Sequence, residues 1–135
     1  VTAPNVELVR SVYRAVNDDD RDAFLAKMHP EVELATSGVY PDFRPTYVGR
    51  EGALQYWEAA RGVWEAFTIE IGRCEVVGDH VLAEVNQRVL GRDEIAVEHR
   101  WAHLFSIEDG LVRRVRAYLS WDEAVKEAGF ERGAG

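Results

Sequence analysis

His99 and His103 lie in a run, Ile95 to Ile107, in which every second residue is apolar or an imidazole: Ile95, Val97, His99, Trp101, His103, Phe105 and Ile107. An imidazole near its free pKa takes up and releases protons at neutral pH, so this pattern offers general acid–base chemistry. On a helix, the spacing of four would bring both rings to one face, as zinc sites require. The alternation reads instead as a strand, where residues four apart sit roughly 13 Å apart and cannot share an ion. Cys74 is the single cysteine and supplies no second ligand. No metal site is expected, and no cofactor. There is no G-x-S-x-G elbow and no glycine-rich phosphate loop. Cys74, beside Glu75, reads as a small buried apolar residue.

The opposite face of the run carries Ala96, Glu98, Arg100, Ala102, Leu104 and Ser106. The histidine face is therefore the apolar one. The preceding run offers Val81, Ala83, Val85, Gln87 and Val89, with Gln87 its one polar member, and the following run Leu111, Arg113, Val115, Ala117 and Leu119. A few polar groups in an apolar surface make a small-molecule pocket. They also describe a core whose polar residues are hydrogen-bonded.

These residues need elements to hold them. Val6, Val9, Tyr13 and Val16 recur at helical spacing over Asn5 to Val16. A second helix is expected over Arg21 to Met28, stopped by His29-Pro30. Glu31 to Leu34 reads as a short strand. Ala35 to Val48, with Tyr40, Pro41, Asp42 and Phe43, reads as an ordered covering loop. Gly49 to Ala66 is the longest expected helix, with Leu54, Trp57, Val63, Trp64 and Phe67 near helical spacing. Four strands follow: Thr68 to Val77, Val81 to Leu90, Ile95 to Ile107 and Leu111 to Leu119. Their short, glycine-containing connections predict antiparallel hairpins. A phase slip at Gly72-Arg73 predicts a bulge. Ser120-Trp121-Asp122-Glu123 is a capping box opening a last helix, which Gly129 should close near Ala128. The order predicts a single α+β domain with a curved antiparallel sheet.

The net charge of −8 disfavours nucleic acid, which demands a basic surface. Arg113, Arg114 and Arg116 cluster on an expected strand and read as salt-bridged sheet residues. No apolar run has the length of a membrane span. The first residues show no charged-then-apolar leader pattern. A cytoplasmic protein is expected.

Three stretches carry a family resemblance: NVELVRSVYRAVNDDDRDAFLAKMHPEVEL from Asn5, YVGREGALQYWEAARGVWEAF from Tyr47, and HRWAHLFSIEDGLVRRVRAYLSWDEAVKEAG from His99. The chain resembles the SnoaL-like families of the nuclear transport factor 2-like superfamily. The resemblance implies a cystatin-like α+β roll, a bent sheet closed into a cone-shaped pocket by three N-terminal helices. Its members include ketosteroid isomerases, polyketide cyclases, epoxide hydrolases, dehydratases and association domains, and a homodimer is implied. Fold alone does not select among them. The carboxylate base of ketosteroid isomerase falls near Thr36, its oxyanion-binding aspartic acid on His103, and its tyrosine near Val12, one residue from Tyr13. The cyclases' His/Asp arrangement suggests His103 with Asp42. The arginine–aspartate set of the epoxide hydrolases is not visible.

Two readings follow. In the first, a small apolar carbonyl compound sits among Tyr13, Tyr40, Trp57, Gln87, His99, Trp101 and Phe105, and His103 with Asp42 runs acid–base catalysis. In the second, the domain binds a ligand or a second copy without chemistry, and His103 is a satisfied core histidine.

Overall fold

Apolar side chains three and four residues apart give the first helix one sealing face. In a computed structural model, which describes residues 2–36, 45–63, 66–77, 80–90 and 96–134, α1 spans Thr2–Asn17 and buries Val9, Val12, Tyr13 and Val16. Asp19, at φ 55°, turns the chain out of α1. Asp20 then caps α2 (Arg21–Ala26) by accepting the Ala23 N–H at 3.1 Å.

α2 is shorter than its apolar pattern suggests. Met28 belongs to strand β1 (Met28–Ala35), and the chain already joins the sheet at Lys27, whose carbonyl accepts the Val112 N–H at 2.9 Å. Pro30 is accommodated because the pairing register shifts between Met28 and Glu33. The expected loop also contains a strand, β2 (Thr46–Val48), paired antiparallel to β1 through Leu34 and Tyr47. Three residues are too few to show an alternation.

Helix α3 (Gly49–Val63) begins at a glycine of positive φ, 75°. It packs closely on β2: a Cβ at Gly52 would meet the Tyr47 carbonyl carbon at 3.0 Å. The remaining strands are β3 (Ala66–Val77), β4 (His80–Leu90), β5 (Ala96–Glu108) and β6 (Leu111–Tyr118). Their antiparallel pairing agrees with the short turns, and Asp109 and Gly110, at φ 56° and 74°, form the β5–β6 hairpin turn. The β3–β4 register shifts between Ile71 and Cys74, where the phase slip predicts a bulge.

The strands form one open, curved sheet in the order β2-β1-β6-β5-β4-β3. One pairing departs from the antiparallel expectation: β1 runs parallel to β6. Helices α1 to α3 and one sheet face enclose the main core. On the other face Leu82, Ala102, Leu104 and Ala124 form a second cluster under α4 (Trp121–Ala134). The Ser120 hydroxyl caps α4 by accepting the Glu123 N–H at 3.2 Å. The helix runs through Gly129 rather than closing there, since glycine permits a helix end without imposing one. Among the described residues no helix is long and apolar enough to cross a membrane.

The C-terminus of α1 is pinned to β3 by one side chain. Asn17 accepts the Ile69 N–H and donates to the Ile69 carbonyl, both at 2.8 Å. Two amide hydrogen bonds at a partly wet site contribute about 1–2 kcal/mol. We expect Asn17→Ala to lose about that much in urea denaturation, with an unchanged m-value.

Candidate functional site

Between the three N-terminal helices and the sheet lies a cavity of about 90 Å³. An apolar cavity of about 150 Å³ accepts benzene, so with these side-chain positions the space is smaller than a benzene site, and a ring-sized group enters as lining side chains move. Val12, Tyr13 and Val16 enter from α1, Phe24 from α2, Tyr56 and Trp57 from α3. The sheet contributes Met28, Leu34, Ile69, Gln87, His103, Phe105, Val115 and Ala117, and Thr36 follows β1. Most of this lining is hydrocarbon. The side chains with polar groups in it are Tyr13, Thr36, Tyr56, Trp57, Gln87 and His103, and no carboxylate of the described residues lines it.

The central feature joins α1 to β5. Tyr13 Oη lies 2.7 Å from His103 Nδ1, both groups buried, and the rings stack nearly parallel at 17°. Phe105 meets the Tyr13 ring edge-on, with centroids 5.7 Å apart. The phenol is the better donor and the imidazole nitrogen the better acceptor, so Tyr13 donates and the ring proton resides on Nε2. Burial pushes the His103 pKa down to about 4, so the ring is neutral at physiological pH. A neutral imidazole with such a low pKa is a weak base, but a good uncharged hydrogen-bond donor.

A second polar contact stands elsewhere in the same lining. The Trp101 indole N–H donates to Gln87 Oε1 at 2.9 Å, and both side chains are buried. Trp101 thus supports the site from beside it rather than lining it, as the sequence reading expected. Trp57 does line the cavity and packs on Phe24 with centroids 5.0 Å apart. Thr36 is held by its own backbone, whose N–H donates to the Pro45 carbonyl at 2.8 Å.

His103, Tyr13, Trp57, Gln87 and Phe105 therefore share one cavity. His99 pairs with Gln87 in the β4–β5 ladder, and its side chain lies outside the described residues, as do Tyr40 and Asp42. Sequence reasoning missed Met28, Thr36 and Tyr56. Met28 is hidden by its place at the end of a helix-like pattern, Thr36 sits in a segment without a clear period, and Tyr56 lies on α3 beside Trp57 but off the apolar spacing read there.

The three neighbouring arginines take the structural part read for them. Arg113 pairs with Glu108, Arg114 with Glu33 and Arg116 with Glu127, at 3.2–3.4 Å. Among the described residues one cluster has metal-ligand chemistry: His29, Glu108 and Asp109 place ligand atoms within 4.8 Å of one another. His29 Nδ1, however, already accepts the Glu31 N–H at 3.0 Å. Glu108 is already paired with Arg113.

The depressed His103 pKa fixes a pH dependence. Above about pH 6.5 the ring is neutral in the folded and unfolded chains alike. Between about 6.5 and 4 the unfolded chain binds a proton that the folded chain refuses, so stability falls as pH falls, by about 3 kcal/mol in all. We expect the His103 ring resonances to stay fixed from pH 8 to 5.5 in NMR titrations. His103→Gln should flatten part of the acid-side loss in denaturation curves.

A SnoaL-like domain family matches residues 9–115. No curated protein sequence matches. Among solved structures, the chain is similar to TerC co-crystallised with polyporic acid, at 22% identity and TM-score 0.78, over 93% of this chain and 97% of that one. It is also similar to RV0760c from Mycobacterium tuberculosis in complex with estradiol-17beta-hemisuccinate, at 19% and 0.73, over 88% and 95%. An LEH-like epoxide hydrolase from M. tuberculosis matches at 18% and 0.73, over 92% and 88%. At these identities the structural matches establish the fold, that of the nuclear transport factor 2-like proteins. With the family match over most of its length, the chain belongs to the SnoaL-like domain family.

Proposed function

We propose that this chain binds a small, mostly apolar molecule bearing a carbonyl or phenolic oxygen and catalyses a proton-transfer reaction on it: an isomerisation, cyclisation or dehydration. The observation that carries the reading is the 2.7 Å Tyr13–His103 hydrogen bond in a cavity lined mostly by hydrocarbon. Burying two polar side chains there costs free energy that their mutual bond only partly offsets. A site that pays this cost gains a hydrogen-bonding pole for a substrate oxygen.

The low pKa of His103 assigns its part. The Nε2–H of the neutral ring donates to a developing oxyanion, and Tyr13, by donating to Nδ1, holds the ring in that tautomer, while a ring of such low pKa deprotonates a carbon poorly. These two residues stand on or beside the positions that the family resemblance gives to the oxyanion donors of ketosteroid isomerase. The position it gives to the carboxylate base holds Thr36, a hydroxyl. We assign the proton acceptor to Asp42, the carboxylate that the resemblance to the cyclases suggests as the partner of His103. Similar folds bound to polyporic acid and to estradiol-17beta-hemisuccinate support an apolar, oxygen-bearing ligand.

The absence of a carboxylate from the described lining favours a second reading, a binding module without turnover. One experiment separates them. A panel of small ketones, lactones and enones is incubated with the protein, followed by NMR for both ring shifts of His103 and product signals. Under the catalytic reading a ligand that shifts His103 is converted, and Asp42→Asn lowers kcat at least about a hundredfold with Kd nearly unchanged. Tyr13→Phe should lower kcat by about ten- to a hundredfold. Ligands that bind at His103 and are never converted, by wild type or variant, would leave the binding module as the function.

A further inference from the structure

Gln87 is 4% exposed and lines the cavity, yet its amide makes one protein contact among the described residues, the bond from Trp101 to Oε1. An indole nitrogen only donates. The atom of Gln87 that faces Trp101 must therefore be oxygen, whatever the ambiguity of amide oxygen and nitrogen in general. The Nε2 amide group, with two N–H donors, is turned the other way and finds no acceptor in the described protein. The nitrogen is not sealed in protein, and on a residue that lines the cavity such a donor is open to a ligand acceptor.

The location of this donor is as informative as its chemistry. His103 pairs with Ala83 in the β4–β5 ladder, and Gln87 lies four residues further along β4. The two backbone positions are thus separated by roughly 13 Å along the strand direction. Tyr13–His103 and Gln87 thus reach the cavity from backbone positions well apart on the sheet, with Ile69, Trp57 and Phe105 among the residues lining it.

We propose that Gln87 is a specificity-determining residue: its Nε2 donates to a second oxygen of the ligand, and Trp101 is the positioning residue that fixes the amide in that orientation. The inference rests on the pocket reading above and narrows it. The ligand is a compact ring compound with two oxygen functions at opposite ends, one facing Tyr13 and His103, the other an acceptor facing Gln87. Trp101 needs no contact with the ligand. Its indole satisfies the amide oxygen and so leaves only donors for the ligand.

The test uses two para-substituted phenols of nearly equal size, 4-ethylphenol and 4-hydroxyacetophenone, which differ by one carbonyl acceptor. Affinities for the whole protein are measured by NMR titration, and the quantity read is the ratio of the two dissociation constants. Comparing that ratio between proteins cancels the difference in hydration of the free ligands. Gln87→Leu should shift it about tenfold against 4-hydroxyacetophenone, the effect of one hydrogen bond, with 4-ethylphenol bound about as before. Trp101→Phe should shift it in the same direction by a smaller factor, because the amide is then free to turn.

A structural Gln87 would weaken both phenols together, and an unchanged ratio in Gln87→Leu would overturn the inference while leaving the pocket reading intact. Should Gln87→Leu fail to fold, an unchanged ratio in Trp101→Phe overturns it equally. If neither phenol binds the wild-type protein at millimolar concentration, the pocket reading fails, and this inference with it.

Discussion

Strand β5 is covered on both sides between Trp101 and Leu104, and the rest of the domain is arranged around that burial. Trp101, His103 and Phe105 face the main core, while Ala102 and Leu104 face the cluster under α4. A strand shielded this way cannot shift its register by one residue without pushing an imidazole into the α4 interface and a leucine into the cavity. The His103–Ala83 and Phe105–Val81 pairings are therefore fixed by packing as well as by ladder hydrogen bonds. Helix α1 can then meet His103 through Tyr13 reliably, because the position of His103 is over-determined from behind.

This two-sided burial also separates what was legible in the sequence from what was not. The alternation over Ile95 to Ile107 identified the histidine face and ruled out a shared metal for His99 and His103. The glycine-containing turns gave the four-strand order, and the phase slip at Gly72-Arg73 gave the bulge. Burial of Ala102 and Leu104 was not visible, because small and apolar residues among Glu98, Arg100 and Ser106 look like an exposed face until α4 is placed on it. The missed elements share a cause. Strand β2 has three residues, and β1 begins inside a helix-like pattern, so neither is long enough for periodicity to declare it.

For the site, the strand pattern picked out polar residues that share one cavity but not their partners. The resemblance pairs His103 with Asp42, which lies outside the described residues; the structure adds a hydrogen bond to Tyr13, 90 positions earlier. No local pattern encodes a contact of that range. Trp101 was placed in the lining because it shares a face with His103. Its indole instead reaches across to the neighbouring strand, a direction set by the rotamer rather than by the strand period.

The parallel pairing of β1 with β6 bears on the order in which the chain can acquire its structure. The strand nearest the N-terminus has its sheet partners at Thr46–Val48 and at Leu111–Tyr118, so it stays an edge until almost the whole sequence is available. Such long-range pairing slows folding, since loop closure must precede the contacts that reward it. During synthesis the apolar stripe of α1, Tyr13 included, emerges before the strands that will bury it. The cavity is thus a late product of folding, complete only when the last strand seats against the first.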